Sequence, residues 1–334
     1  MFADEDGKGA ELWAMAQLAT PMAVRVAATL HIADHIAAGS CTAPELAEAT
    51  DADPDALERL MRYLTVRGVW TRDDDGRYGL TPLSMPLRDD HPTGLRGWLD
   101  IEGVGRAELA FFQLLHTVRT GESGFRTQFG RSFWDDLVDE PERGAAFDSL
   151  LGANAAERSP FIVDGYDWGS LGDLVDVGGG DGSLLISLLK QYPALRGTLF
   201  DQPETAEAAR KALKEAGLDH RSEVVSGSFF EDDLPAGAGG YLLSFIMHDW
   251  GDGPAREILR RCAVAAGTGG SVFVVERLRP DGAPHTGMDL RMLVFDAGKE
   301  RGLAEMTTLA AQAGLGVVAT HPAGPLMIFE LAAE

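Results

Sequence analysis

Cysteine is nearly missing from this chain: 334 residues carry two, Cys41 and Cys262, far apart and without a C-x-x-C pair. Their scarcity excludes a disulfide framework and a thiolate zinc site, and it suits a reducing, cytoplasmic setting. Basic residues are scarce as well, 29 against 52 acidic ones, for a formal net charge of −23. Such a chain repels phosphate backbones and anionic lipid headgroups, so neither nucleic acid nor a membrane surface is an expected partner. No apolar run approaches the ~20 residues a membrane span needs. The start, Met1-Phe-Ala-Asp-Glu-Asp, lacks the basic and apolar regions of a signal peptide, so a soluble, unprocessed protein is expected. Internal repeats are absent. What remains is an apolar fraction of 45%, enough at this length for two cores.

Glycine, in contrast, is abundant, and its most organised use is at Asp173-Leu-Val-Asp-Val-Gly-Gly-Gly-Asp-Gly182, which runs into an apolar helical pattern from Ser183 to Lys190. An apolar run of strand length ends at Asp176. Gly178, Gly180 and Gly182 then let the backbone turn and approach a ligand without a Cβ in the way, ahead of a helix whose first N–H groups are unpaired. The pattern predicts strand, glycine loop and helix, with a nucleotide-like ligand. A dinucleotide fingerprint needs glycine at positions one, three and six, and the sixth residue from Gly178 is Ser183, so a dehydrogenase fits poorly. The observed G-x-G-x-G resembles motif I of the class I S-adenosylmethionine-dependent methyltransferases.

The N-terminal part reads differently. Met15, Leu18, Met22, Val26 and Leu30 form an apolar helical stripe with a break expected at Thr20-Pro21, and the stripe suits either an internal core or a dimer partner. His31 and His35 have a metal-compatible spacing but no third ligand, and are read as structural. Thr42-Ala-Pro-Glu45 is a capping box and Asp53-Pro54 caps the next helix. Val69-Trp70-Thr71, an Asp73 to Gly76 turn and Tyr78-Gly79-Leu80 then predict a hairpin. Together these make a winged-helix pattern, whose acidic wing and mixed-charge second helix argue against DNA. A helical segment follows with Phe111, Phe112 and Leu115, then a glycine-rich loop through Gly130, a helix through Ser132 to Leu137 and another from Pro141 to about Arg158. The boundaries expected are 1–92 for the winged-helix domain, 93–164 for a helical connector and 165–334 for the cofactor domain.

Beyond the glycine loop, apolar strand-length runs at 197–200, 222–225, 241–247 and 271–275, with a terminal pair near Val317 and Met327, alternate with helices and predict a parallel sheet covered on both faces. Ligands in such sheets sit at the carboxyl ends of strands. There the chain places Asp201 and Gln202, where a carboxylate can accept ribose hydroxyls; Ser228 and Phe229, where a ring can cover adenine; Ser244; and His248, whose ordinary pKa near ~6.5 suits removal of a hydroxyl proton. With Asp176 and the three loop glycines, these other than His248 are the cofactor-binding candidates. Phe111, Phe112, Phe147, Leu151, Met247, Asp249, Met288, Met292 and Phe295 are candidates for a slot that takes a planar aromatic substrate.

The set 174–182, Phe200-Asp-Gln-Pro203, Gly227-Ser-Phe-Phe230, His248-Asp-Trp250 and Gly298-Lys-Glu-Arg301 resembles the plant-type, caffeate-like small-molecule O-methyltransferases, and still more their actinobacterial natural-product relatives. The resemblance implies a Rossmann-like class I methyltransferase sheet (α/β), an N-terminal winged-helix dimerisation domain and a homodimer. It implies S-adenosylmethionine as cofactor, no metal, His248 as general base and Glu276 and Glu300 flanking its ring. Ser228 stands where relatives have aspartate, and Ser244 where plant members have lysine. The reaction implied is His-assisted deprotonation and in-line methyl transfer to a phenolic hydroxyl of an aromatic small molecule, a polyketide or related secondary metabolite. Two other functions fit parts of the pattern: a decarboxylase or hydroxylase on an anthracycline-like substrate, and a cofactor-sensing winged-helix regulator.

Overall fold

The computed structural model describes residues 8–277 and 286–333, and the chain divides into two compact units, 1–106 and 107–334. The division falls inside the segment expected as a connector. Among the described residues, no helix is long and apolar enough to cross a membrane.

In the first unit, α1 (Lys8–Ala16) buries nothing and leaves Leu12, Trp13 and Met15 exposed. The helix break lies at Gln17 and Leu18, earlier than the expected Thr20-Pro21. Pro21 instead occupies the first turn of α2 (Ala19–Thr29), where its missing N–H has no partner to lose. After α3 (Ile32–Ala37), the capping box forms at α4 (Ala43–Thr50): Glu45 N donates to Thr42 Oγ1 at 3.4 Å, and Thr42 N donates to Glu45 Oε2 at 2.8 Å. Asp53 caps α5 (Pro54–Val66), accepting from Ala56 N at 2.8 Å. The hairpin is β1 (Trp70–Arg72) against β2 (Tyr78–Leu80), antiparallel with Trp70 opposite Leu80. Leu57, Met61, Leu64, Trp70 and Tyr78 share one buried core with α2 to α4. A short α6 (Leu95–Leu99) completes the unit. His31 pairs with Asp89 at 3.1 Å, and these two with Asp34 form the cluster that the His31–His35 spacing did not suggest.

The second unit starts within a 3₁₀ stretch at Val104–Gln113 and continues with α7 (Leu114–Thr120) and α8 (Gly124–Phe129). The latter replaces most of the expected glycine-rich loop, because Ser123 caps it by accepting from Arg126 N at 3.1 Å. After α9 (Phe133–Asp139), α10 (Pro141–Asp164) runs past the expected end and through Pro160. That proline forfeits one helical hydrogen bond, while Ile162 and Val163 beyond it are buried against the sheet core and hold the last turn in place.

The sheet elements are β3 (Asp173–Val177), β4 (Arg196–Asp201), β5 (Ser222–Ser226), β6 (Gly240–Ser244), β7 (Ser271–Glu276), β8 (Leu315–Ala323) and β9 (Leu326–Ala333). Their order is β5-β4-β3-β6-β7-β9-β8. Helices α11 (Ser183–Gln191), α12 (Pro203–Glu215), α13 (Asp252–Ala266), α14 (Gly287–Asp296) and α15 (Leu303–Gln312) complete the unit. The first five strands in this order are parallel, but β9 pairs antiparallel with both β7 and β8. The expected all-parallel sheet therefore fails at its last edge, since Gly324 and Pro325 alone link β8 to β9 and so short a connection forces a hairpin. The apolar run expected over 241–247 is a strand only to Ser244.

Each face of the sheet has its own buried cluster. In one of them Trp168, fully buried, donates from Nε1 to Ile162 O at 2.9 Å and packs edge-on to Phe273, with ring centroids 5.1 Å apart. Trp168→Ala is expected to destabilise the chain by about 3–5 kcal/mol through the cavity and the orphaned carbonyl. Urea unfolding followed by far-ultraviolet circular dichroism measures this.

Candidate active site

The glycine loop leaves β3 at Gly178, with left-handed φ of +73°, +60° and +81° at Gly178, Gly180 and Gly182. A Cβ at Gly178 would lie 2.5 Å from Ile246 Cδ1, and one at Gly179 would lie 2.8 Å from Asp176 Oδ2. The loop is thus a cradle that side chains would fill. Asp201, at the end of β4, accepts from Gly180 N at 2.8 Å through Oδ2 and from Gln202 N at 2.7 Å through Oδ1. Asp176 is 1% exposed, and its Oδ2 has no hydrogen-bond partner. Burial, with Asp201 and Asp181 nearby, pushes its carboxyl up to about 7. Phe229 lies beside the loop, its Cε1 3.8 Å from the position of a Gly178 Cβ, and packs edge-on to Phe230 and Trp250. Ser228 turns its groups inward: its N donates to Asp232 Oδ2 and its Oγ accepts from Phe230 N. Ser244 closes β6, half-buried.

His248 sits in a single 3₁₀ turn, Met247–Asp249, after β6. The parallel register sets Ser244 beside Val275, so Glu276 emerges level with this turn. Both oxygens of Glu276 hold residue 248: Oε2 lies 2.8 Å from His248 Nδ1, and Oε1 accepts from His248 N at 3.1 Å. Asp249 Oδ1 stands 3.3 Å from His248 Nε2. Burial works to lower the pKa of His248, but Glu276 and then Asp249 reverse this and hold the imidazole well above its ordinary range. Asp249, buried, is itself raised despite the imidazole beside it.

Glu300, expected at the other flank of the ring, is engaged elsewhere: its Oε2 accepts from Thr286 Oγ1 at 2.6 Å. Asp249 takes the flanking place, because it is the adjacent residue in a tight turn, whereas Glu300 follows the end of α14 and is drawn to that helix's first turn, its N donating to Asp289 at 2.9 Å. The work of Gly298-Lys-Glu-Arg301 falls instead to Arg301, 4% exposed. It donates to Met247 O at 2.6 Å, Trp250 O at 2.9 Å and Asp252 Oδ1 at 2.8 Å, clamping the turn that carries the histidine.

The aromatic candidates divide. Phe147 and Phe295 converge on Phe133, with centroids 5.4 Å away in each case, the second pair stacked. Trp134 continues this wall onto Trp250 at 6.0 Å. Met292 is buried, and Met288 and Leu151 are exposed by about two fifths. Met247 does not line a slot: it is fully buried in the sheet core, because the turn that presents His248 points its predecessor inward. Phe112 is 59% exposed and Phe111 half-buried, both in the 3₁₀ stretch rather than on a helix face.

Sequence reasoning missed Phe133, Trp134, Asp148, Asp296 and Arg301. Asp148, on α10, accepts from Thr205 Oγ1 at 3.3 Å and is pushed up to about 6 by burial, Asp201 and Asp181. Asp296 reaches about 6 through burial, with Asp249 and Asp135 opposing its charge and Arg126 favouring it. An aspartate within a predicted helix reads as solvated, and no sequence pattern separates these from the rest. Among the described residues no lysine or arginine pairs with Asp148, Asp176, Asp181 or Asp201, so the crevice is set for a ligand that brings donors and positive charge.

A glycine cradle, an acidic pair at neighbouring strand ends and a carboxylate-held histidine in one crevice mark a class I cofactor-dependent transferase. Comparison with known proteins narrows the class. Residues 111–316 match the O-methyltransferase domain and residues 13–87 the O-methyltransferase dimerisation domain. The chain belongs to the O-methyltransferase family. It is 52% identical over 323 residues, 96% of this chain and 97% of the relative, to a 2,7-dihydroxy-5-methyl-1-naphthoate 7-O-methyltransferase from Streptomyces carzinostaticus. It is 41% identical over 318 residues, 93% and 85% of the two chains, to an aclacinomycin 10-hydroxylase from Streptomyces purpurascens. Among solved structures it resembles an O-methyltransferase from neocarzinostatin biosynthesis in complex with S-adenosylmethionine and 2-hydroxy-5-methyl naphthoic acid, with a TM-score of 0.93, 52% identity and coverage of 97% of this chain and 98% of that one.

The raised pKa of His248 has a sign that can be checked. A group whose folded pKa exceeds its unfolded value, ~6.5 for histidine, adds stability fully present below that value and lost as pH rises through the folded pKa. The His248 imidazole is expected to titrate above the ordinary range, and Glu276→Gln to lower its midpoint, since the carboxylate charge that favours the imidazolium is removed. Histidine-selective ¹⁵N NMR against pH reads both; an unshifted midpoint in the variant would refute the pairing.

Proposed function

We propose that this chain methylates a phenolic hydroxyl of a naphthoate-like aromatic acid, with S-adenosylmethionine as methyl donor. The observation that carries this reading is His248, held by Glu276 at a strand end in the same crevice as the glycine cradle. The residues present fit the cofactor: the loop has no room for a side chain at Gly178 or Gly179, the buried Asp176 Oδ2 lacks a donor, and among the described residues no lysine or arginine pairs with the surrounding carboxylates. Asp201 and Gln202 would hold the ribose, Phe229 the adenine, and the Gly178 to Gly182 loop the methionine end. When bound, S-adenosylmethionine supplies a methyl group on a cationic sulfur.

The chain's own part is to position and deprotonate. His248 Nδ1 is directed to Glu276, so Nε2 is the proton acceptor once a substrate hydroxyl displaces Asp249 from it. Because the flanking carboxylates hold the imidazole above its ordinary range, the neutral form that accepts the proton gains population, and turnover rises, as pH increases. A phenol with a pKa near ~10 is a weak nucleophile until that proton leaves. The resulting imidazolium is stabilised by Glu276, which stays paired with Nδ1. Phe133, Phe147 and Phe295 offer the flat apolar wall a naphthalene ring requires. Alignment supplies much of the remaining rate enhancement. In this reading the segment 93–164 contributes to the substrate pocket, the 1–92 region forms a homodimer, and the enzyme works in the cytoplasm on a secondary metabolite, within the caffeate-like branch of the family.

His248→Ala is expected to lower kcat about 10²–10⁴-fold on a dihydroxynaphthoate while leaving the cofactor Kd unchanged. Chromatographic quantitation of S-adenosylhomocysteine and methylated product, with calorimetric titration of the cofactor, checks this. Undiminished turnover with intact binding would sink the general-base role. One S-adenosylhomocysteine per product separates methyl transfer from the hydroxylation of the aclacinomycin relative.

A further inference from the structure

Helix α10 crosses the carboxyl ends of the sheet in the order of the strands themselves. Asp148 meets Thr205 beyond β4, Gly152 abuts Asp181 beyond β3, and Arg158 reaches Phe245 beyond β6. The last contact is unusual in two ways. Phe245 is a non-glycine residue in the left-handed region, φ +58°, and its N donates to Val275 O at 2.9 Å, so the chain holds a conformation that bulky residues avoid. Over its ring, at 4.2 Å from the centroid, lies the Arg158 guanidinium. Arg158 is half-buried and, among the described residues, forms no ion pair; Glu157 and Glu276 act on it only at longer range. Burial, with Arg277 nearby, disfavours its charge.

A guanidinium withdrawn from water without a carboxylate costs more than one aromatic contact returns. The deficit is met when an anion arrives. Ile246, next to Phe245 in sequence, borders Gly178 through its Cδ1, and Gly152, six residues before Arg158 on α10, abuts Asp181. The same two segments that bring Arg158 and Phe245 together therefore also border the glycine cradle, where the carboxylates of Asp176, Asp181 and Asp201 gather with Asp148 of α10. An amino-acid moiety in that cradle carries one group for each side: an ammonium for the acidic wall and a carboxylate for the cation. We propose that Arg158 is a cofactor-binding residue that takes the α-carboxylate of S-adenosylmethionine. The assignment rests on the proposed cofactor and deepens it. Phe245 holds the guanidinium over its ring, 4.2 Å from the centroid, and a carboxylate is the bidentate partner that the guanidinium N–H fork is shaped to take.

The test is a binding cycle on the full-length enzyme with two probes, S-adenosylmethionine and its decarboxylated analogue, which keeps the sulfonium, the adenosine and the amine. Isothermal titration should show the wild-type enzyme binding the analogue at least 10-fold more weakly. Arg158→Met should weaken S-adenosylmethionine binding by a similar factor and leave the analogue within twofold of wild type, erasing the discrimination; Arg158→Lys should restore part of it. Equal weakening of both probes, or no weakening of either, overturns the assignment, since a merely structural arginine cannot tell the two apart. Arg158→Gln serves if the methionine variant does not fold, as judged by circular dichroism. Failure of the wild type to bind either probe would instead defeat the cofactor reading itself.

Discussion

The grip of Glu276 on residue 248 is the constraint from which the rest of the site follows. Two parallel strands in fixed register, Ser244 beside Val275, deliver a carboxylate and a histidine to the same level, and the carboxylate binds both the ring and the backbone of its neighbour. A base that must present one nitrogen to a substrate needs the other nitrogen fixed, and a backbone bond to the same carboxylate removes the hinge between them. Arg301 closes the arrangement from behind by taking the carbonyls of Met247 and Trp250. The turn is thus held at its ring, its amide and its carbonyls, each by a different element.

Charge organises the other side of the crevice. Four aspartates approach the glycine loop from β3, the loop itself, β4 and α10, with no paired cation among the described residues, and burial raises three of them. In an enzyme this is expensive unless the ligand supplies donors and positive charge, as a sulfonium nucleoside with an amino group does. The acidity of the whole chain, which at first only excluded nucleic acid, acquires a local meaning here: the crevice concentrates the sign of charge that the cofactor complements.

The fold was legible where local rules and tertiary packing agree. The capping box at Thr42, the cap at Asp53, the hairpin around Asp73 and the strand, glycine loop and helix at 173–190 all form as spacing implies, because each satisfies its own backbone groups within a few residues. Misreadings occurred where contacts from afar decide. Pro160 does not end α10, since burial beyond it holds the helix; the last strands turn antiparallel because of a two-residue link; and Met247, grouped with an apolar strand, belongs to a turn that sends it into the core.

Asp201, Phe229 and His248 could be read from the chain because strand ends in a parallel sheet point ligand-ward, a rule that needs only the order of elements, whereas Glu276 is implied only by the resemblance to a family. Sequence by itself therefore determined the fold class, the cradle and the position of the histidine. Which carboxylate attends which nitrogen was decided by tertiary structure alone, which gave Asp249 the place expected of Glu300, made Arg301 the clamp, and brought Phe133 between Phe147 and Phe295. The reason is physical: periodicity fixes the direction a side chain leaves its own element, but pairing at 3 Å depends on how separate elements pack, and helices such as α10 and α14 carry no local signal of the strand ends they will cross.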